Sequence, residues 1–282
     1  MTWKELYRDF VKELQSIYPV GEAEAIIKNL FCWAGSEDYS MQVQENAEDV
    51  ENDMIIFLQG ALIRLLRHIP LQYITGESWF YKLKFFVSNS VLIPRPETEE
   101  LVQNVLNYIK RRCQGLRVLD IGTGSGCIAV TIKSNSKETE VTAIDISENA
   151  LEVARKNALD NNTKIHFMRI DFLTETFIQK FDVVVSNPPY IPATESVEMD
   201  KNVTSFEPHA ALFVPENEPL LFYKRIAWFA LESLDVNGIV FVETHEKYAA
   251  EVAAVFETSG FNTGIAPDMF GKQRFVWATH CQ

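Results

Sequence analysis

The sequence predicts an α/β protein built on an open, largely parallel sheet, and three stretches carry that prediction. Arg117-Val118-Leu119-Asp120-Ile121 reads as a buried strand, and Gly122-Thr123-Gly124-Ser125-Gly126 follows at once. Cys127 to Ile132 then suit a helix. A glycine-rich turn between strand and helix lets a ligand lie against bare backbone, near the helix's positive end. The second stretch is a strand at 140–144 that ends in Asp145, roughly twenty residues past the turn, where an acid fits as an acceptor for ribose hydroxyls. The third is Phe181-Asp182-Val183-Val184-Val185-Ser186, a strand that runs into Asn187-Pro188-Pro189-Tyr190.

Two prolines make that last turn rigid and poor in donors. Ligands of open α/β sheets bind at the C-terminal ends of the strands, where this turn lies. The Asn187 side-chain oxygen and the Pro188 carbonyl are two acceptors, and an amino or amide group has two hydrogens to offer them. The turn therefore suits a holder for a planar nitrogen, with Tyr190 packing against the substrate side chain. An ordinary strand-to-loop turn is the alternative. A nucleoside cofactor over the first two strands, beside a held nitrogen, suits S-adenosylmethionine and methyl transfer to nitrogen. A nicotinamide oxidoreductase shares the first half of this pattern. It has no need of Asn-Pro-Pro-Tyr, the turn is GxGxG rather than GxGxxG, and no hydride-transfer constellation is present.

The remaining elements follow in order. Residues 1–75 are helical in pattern: Leu6, Phe10, Leu14 and Ile17 recur at helical spacing, as do Ala25, Ile26, Leu30 and Trp33, then Ile55, Ile56, Leu58, Leu62, Ile63 and Leu66. They predict a small bundle. Residues 80–87 and 91–93 read as two strands joined by Ser88-Asn89-Ser90, a hairpin linker within 76–95. Pro96 with Glu97, Glu99 and Glu100 starts a helix, as proline and acids near an N-terminus should. Past Asp145 come a helix at 148–158 and a strand at 165–170 leading to Asp171 and Phe172. A helix at 219–234, a strand at 238–243 and a helix at 247–259 capped by Gly260 precede an antiparallel hairpin of 262–267 and 274–279.

Composition sets further bounds. The chain has 282 residues, 47% of them apolar, so two domains are expected: 1–75, and 96–282 after the linker. No run of 18 apolar residues and no signal peptide is read, which predicts a cytoplasmic protein without a membrane partner. Net charge is −13, which argues against a nucleic-acid partner. Residues 37–53 hold seven acids and no Lys or Arg, a solvated face or a docking patch for a basic protein. Cys32, Cys113, Cys127 and Cys281 lack zinc spacing or disulfide density, and the five histidines suggest no metal site. Cys113 stands beside Arg111 and Arg112, so a reactive thiol is weighed against an ordinary reduced one. His245 is read as a satisfied structural histidine.

Several blocks resemble the N5-glutamine methyltransferases of class 1 peptide chain release factors. They are Pro70 to Glu77, Val91-Leu92-Ile93-Pro94-Arg95-Pro96-Glu97-Thr98-Glu99, Leu119 to Cys127, Ala143 to Ser147, Ser186 to Ile191 and Phe206 to Phe213. Asn-Pro-Pro-Tyr is shared with adenine-N6 methyltransferases, whereas the Ile-Pro-Arg-Pro-Glu-Thr-Glu block is more specific. It also differs in a sister group that methylates a ribosomal protein. The resemblance implies a Rossmann-like class I methyltransferase with a seven-stranded mixed sheet, a helical N-terminal substrate-recognition domain and a monomeric state. It implies methylation of the glutamine in the partner's Gly-Gly-Gln motif, with S-adenosylhomocysteine as the other product. Gly122, Thr123, Gly124, Ser125, Gly126, Asp145, Asp171, Phe172 and Asn187 then face the cofactor, while Asn187, Pro188, Pro189 and Tyr190 face the substrate. Phe172 has a core-packing alternative. The chain departs from the family pattern at Val242-Glu243-Thr244-His245, at Phe206 and at Gln273. A binding module that keeps the fold without catalysis is a further alternative, against which the intact glycine turn and Asn-Pro-Pro-Tyr stand.

Overall fold

Contacts divide the chain into two units, Met1–Gly76 with Asp200–Phe206, and Glu77–Met199 with Glu207–Gln282. The computed structural model describes residues 1–35, 49–112 and 115–281. Most of the acidic run and Cys113 lie outside the described residues.

The first unit is helical. Helix α1 (Trp3–Leu14) starts on a capping box in which Thr2 Oγ1 accepts from the Glu5 amide and Glu5 accepts from the Thr2 amide. It packs with α2 (Val20–Gly35), α3 (Asn52–Leu65) and α4 (Leu71–Thr75); the short α8 (Lys201–Phe206) belongs to the same unit. Phe31 is its hub, with the rings of Trp3, Tyr7 and Phe10 set edge-on at 5.6–5.7 Å. Leu6, Phe10, Leu14, Leu30, Leu58 and Leu62 are buried as their spacing predicts. Ala25, Ile56 and Ile63 are exposed instead, and Ala23 and Ile27 take the core positions of α2. Runs such as Met54-Ile55-Ile56-Phe57-Leu58 are apolar all round, so their pattern cannot say which face the neighbours will cover.

The second unit opens with an antiparallel hairpin of β1 (Glu77–Phe80) and β2 (Leu83–Phe86). This corrects the expected strand pair at 80–87 and 91–93. The turn is Tyr81-Lys82, both at positive φ (49° and 65°), without the glycine or asparagine that normally signals it. Tertiary bonds hold it: the Tyr81 amide donates to Glu99 Oε1 at 2.8 Å and its hydroxyl to Gln103 Oε1 at 2.6 Å. Both acceptors lie on α5 (Pro96–Lys110), which begins at its proline.

From there the chain alternates strand and helix: β3 (Arg117–Ile121), α6 (Cys127–Asn135), β4 (Glu140–Asp145), α7 (Glu148–Asp160), β5 (His166–Arg169) and β6 (Phe181–Ser186). Beyond β6, β7 (Ile191–Pro192) pairs with β8 (Phe213–Val214), which follows α9 (His209–Leu212). Helix α10 (Leu221–Ser233), β9 (Leu234–Glu243), α11 (Ala249–Thr258), β10 (Phe261–Pro267) and β11 (Gln273–His280) complete it. The sheet has seven strands in the order β10-β11-β9-β6-β3-β4-β5. Strands β5, β4, β3, β6 and β9 are parallel, and β11 runs antiparallel to β9 and β10.

Side chains alternate between two covered faces. Val183 and Val185 pack with α5 and α6, and Val184 with α10 and α11. Chain order reverses between β3 and β6, so the crevice of this sheet falls at their C-terminal ends.

Candidate active site

Ile121 and Ser186 are partners in the parallel register of β3 and β6, and Ser186 Oγ donates to the Ile121 carbonyl at 2.8 Å. Gly122 and Asn187, the next residues on each chain, therefore leave the sheet side by side. The glycine turn and the Asn-Pro-Pro-Tyr turn meet here.

The glycine turn needs its glycines. Gly122, Gly124 and Gly126 all have positive φ (72°, 54° and 80°), which a side chain rarely adopts. A Cβ at Gly122 would meet nothing within 4 Å, so open space lies over the backbone there. A Cβ at Gly126 would come within 3.1 Å of the Ala154 Cβ, so this glycine lets α6 and α7 pack. The Gly122 and Thr123 amides both donate to the Ile144 carbonyl, at 2.9 and 3.0 Å, which folds the turn back on the end of β4. Asp145 then accepts the Gly124 amide on Oδ2 and the Ser147 amide on Oδ1, each at 2.9 Å. Burial raises its pKa against those two bonds. Each oxygen keeps a second lone pair, so the carboxylate can still accept hydroxyls.

Behind the turn sits a carboxyl that sequence reading passed over. Asp120 is fully buried on β3 and accepts from Thr123 Oγ1 at 2.6 Å. Burial pushes its pKa up to about 7, against the Thr123 bond. Ser125 is tied from the far side, its carbonyl accepting from Asn157 Nδ2 at 2.8 Å. Cys127 follows as a buried thiol whose pKa burial pushes up to about 12, so it is no nucleophile.

Asp171 and Phe172 lie beyond β5. Asp171 caps its own turn, accepting from the Leu173 amide at 3.1 Å and Thr174 Oγ1 at 2.7 Å. Phe172 is a core residue, edge-on to Phe229 at 5.5 Å with the Arg225 guanidinium 5.6 Å from its ring centre.

At the other turn, Asn187 is half-buried and Pro188 buried. Asn187 Nδ2 donates to Thr98 Oγ1 at 3.0 Å, and Thr98 Oγ1 donates to Glu243 Oε2 at 2.7 Å. No described residue donates to Asn187 Oδ1 or to the Pro188 carbonyl. Both acceptors are thus free at the end of β6. Tyr190 donates a long 3.4 Å bond to Glu243 Oε1, and burial together with the Glu243 charge raises its phenol pKa. Glu243 is 1% exposed, and burial pushes it up to about 7, against the Thr98 bond and the Arg274 charge. His245 is anchored at both nitrogens: Nε2 lies 3.4 Å from Glu195 Oε2, and Nδ1 accepts the Lys247 amide at 3.1 Å.

The family resemblance places Arg95 to Thr98 near the cofactor without giving Thr98 a role, and sequence reading gives Glu243 no place in the site. One signal for Glu243 was available, an acid at the end of an apolar strand, Ile239-Val240-Phe241-Val242. The Ile-Pro-Arg-Pro-Glu-Thr-Glu block also gains a physical account. Arg95 binds Glu207 Oε1 at 2.6 Å, Thr98 binds Asn187 and Glu243, Glu99 takes the Tyr81 amide, and Glu100 takes the Met269 amide at 3.0 Å. Four neighbouring side chains thus tie five separate segments to one helix start. Among the described residues, no group of three His, Cys, Asp or Glu side chains is placed to hold a metal.

A family model for the methyltransferase small domain matches residues 98–205. The release factor glutamine methyltransferase of Flavobacterium psychrophilum is 39% identical over 285 aligned positions, covering 98% of both chains. That of Lactococcus lactis is 41% identical over 278, covering 98% of this chain and 99% of the relative. Among solved structures, a methyltransferase from Pyrococcus furiosus aligns with a TM-score of 0.52 at 18% identity, over 79% of this chain and all of the other. A ribosomal protein L11 methylase from Lactobacillus delbrueckii subsp. bulgaricus gives 0.50 at 18%, over 70% and 84%. These two likenesses bear on the fold alone, a Rossmann-like α/β sheet. With near-complete coverage at such identities, the chain is a methyltransferase and belongs to the release factor glutamine methyltransferase family.

Proposed function

We propose that the chain transfers a methyl group from S-adenosylmethionine to the side-chain amide nitrogen of the Gly-Gly-Gln glutamine of a class 1 release factor. The observation that carries this is the pair of free acceptors, Asn187 Oδ1 and the Pro188 carbonyl, standing beside a glycine turn with open backbone. When bound, the cofactor supplies an electrophilic methyl on a positively charged sulfur. Gly122 to Gly126 would hold its methionine portion and Asp145 its ribose, with Asp171 and the edge of Phe172 near the base.

An amide nitrogen is a weak nucleophile, because its lone pair is delocalised into the carbonyl. Asn187 and Pro188 answer this in two ways. They accept both amide hydrogens and so fix the nitrogen in line, an effect worth roughly 7–11 kcal/mol when geometry is ideal. They also stabilise the positive charge that grows on nitrogen as the new N–C bond forms and the S–C bond breaks. One of the two hydrogens then leaves as a proton to solvent water. Tyr190 packs beside the substrate side chain.

The helical unit Met1–Gly76 is assigned to gripping the partner. The exposed stacked rings of Trp33 and Phe57, with Ile56 and Ile63 on the same unit, support this.

The test is incubation of the purified chain with methyl-labelled S-adenosylmethionine and, separately, release factor, release factor lacking the motif glutamine, and DNA. Label confined to the intact release factor is expected. Label on DNA alone overturns the reading.

A further inference from the structure

Asn187 can serve as described only if its carbonyl oxygen, rather than its NH2, points toward the substrate. The two ends of an amide have nearly the same shape, so sterics do not choose between them. A hydrogen-bond chain does. Glu243 as a carboxylate can only accept, so Thr98 must spend its single hydrogen on it. Thr98 Oγ1 is then left as an acceptor, and only the NH2 end of Asn187 can satisfy it. The distances are 2.7 Å for Thr98 to Glu243 and 3.0 Å for Asn187 to Thr98, with Thr98 and Glu243 both buried.

Resting on the function proposed above, we propose that the Glu243 carboxylate is a positioning residue that sets, through Thr98, which end of the Asn187 amide faces the substrate nitrogen. A proton on Oε2 reverses the chain's direction: the carboxyl donates to Thr98, and Thr98 donates onward to Asn187 Oδ1. The amide then presents its NH2 to a substrate NH2, and methyl transfer stops.

The groups that face Glu243 come from every element around it. Thr98 and Glu97 lie on α5, Tyr190 follows β6, Tyr223 on α10 donates to the Glu243 carbonyl at 3.0 Å, and Arg274 on β11 is itself paired with Asp268 at 2.9 Å. Burial and Glu97 favour the protonated form, while the Thr98 hydrogen bond and Arg274 favour the carboxylate. The balance leaves Glu243 titrating at about 7, so the proposed reversal falls within an accessible pH range.

The experiment compares the full-length enzyme with Thr98→Val, Thr98→Ser and Glu243→Gln, measuring kcat and KM against pH with release factor, and cofactor affinity by calorimetry. Thr98→Val removes the relay and is expected to lower kcat by about 100-fold, the scale of an ångström-level misplacement, with cofactor affinity and KM little changed. Thr98→Ser keeps the hydroxyl and is expected to recover most of that loss. Glu243→Gln puts a group that does not titrate at the end of the relay, so whichever end of its amide meets Thr98, this variant is expected to erase the acid limb of kcat near pH 7. In the substrate-free enzyme, the Glu243 carboxyl followed by carbon NMR should titrate higher in Thr98→Val, because it loses a donor. Turnover of Thr98→Val close to wild type, or an acid limb that survives in Glu243→Gln, overturns the proposal. If release factor is not methylated by the wild-type enzyme, the function reading fails instead, and the NMR titration still decides on the relay: an unmoved Glu243 overturns it.

Discussion

Asn157 uses both amide hydrogens and its carbonyl oxygen inside the fold. From α7 it accepts the Phe86 amide at 2.6 Å and donates to the Phe86 carbonyl at 2.9 Å and the Ser125 carbonyl at 2.8 Å. It thereby pairs with β2 as a strand would, while bracing the glycine turn. Asn157→Ala strands three backbone groups and should cost about 1–3 kcal/mol, read as a lower denaturant midpoint together with weaker S-adenosylmethionine binding. Asn187→Ala differs in kind. It removes one acceptor from the substrate nitrogen and leaves the glycine turn intact, so kcat should fall by about 10²–10³-fold while cofactor affinity holds. Steady-state kinetics beside calorimetry separates the two, and near-normal turnover of Asn187→Ala would refute its role. The Asn187 role is legible from its neighbours in sequence. That of Asn157 is not, because its partner Phe86 lies 71 residues away.

Helix α5 shows how one element organises several. Its first turn supplies the Arg95, Thr98, Glu99 and Glu100 ties, so its register sets where the hairpin, the β6 turn and the end of β9 can sit. The Tyr81-Lys82 turn is the clearest case. Two residues with side chains stand at positive φ, a strained choice that the Glu99 and Gln103 bonds offset. Glu99→Ala should therefore loosen the hairpin locally, with faster amide exchange in residues 77–86 and a global loss of only about 1 kcal/mol. Unchanged exchange there would show that the hairpin holds its turn unaided. Strand and helix types were readable here from apolar period, but the hairpin was expected in the wrong place. Sequence signals for a turn are the residues that adopt positive φ cheaply, and this turn relies on partners elsewhere.

The buried acids of the second unit couple its stability to pH. Asp120 and Glu243 rise from ordinary values of 3.8 and 4.5 to about 7, so the folded state binds protons more tightly than the unfolded chain. The stability they contribute is full below those ordinary values and is lost as pH rises through about 7. Asp182 acts in the opposite sense. Burial raises it, but Arg117 outweighs that with bonds of 3.0 Å to each oxygen, so its contribution is lost as pH falls. Glu243→Gln should narrow the difference in melting temperature between pH 5 and pH 8 by removing a penalty of at most about 3 kcal/mol at the higher pH. An unchanged difference would mean that Glu243 titrates normally. The proposed relay needs the carboxylate, so the form active in that scheme is also the less stable one. What the sequence alone determined is local: the apolar period of the strands, the glycine turn after β3, the acid ending β4 and the rigid Asn-Pro-Pro-Tyr turn. Each depends on the preferences of adjacent residues. Only the tertiary structure decided which face of an all-apolar helix is buried, that Phe172 joins the core, and which way Asn187 points. Thr98 stands 89 residues before Asn187 and 145 before Glu243, and hydrogen bonds across such separations exist only once the sheet has brought its strand ends together.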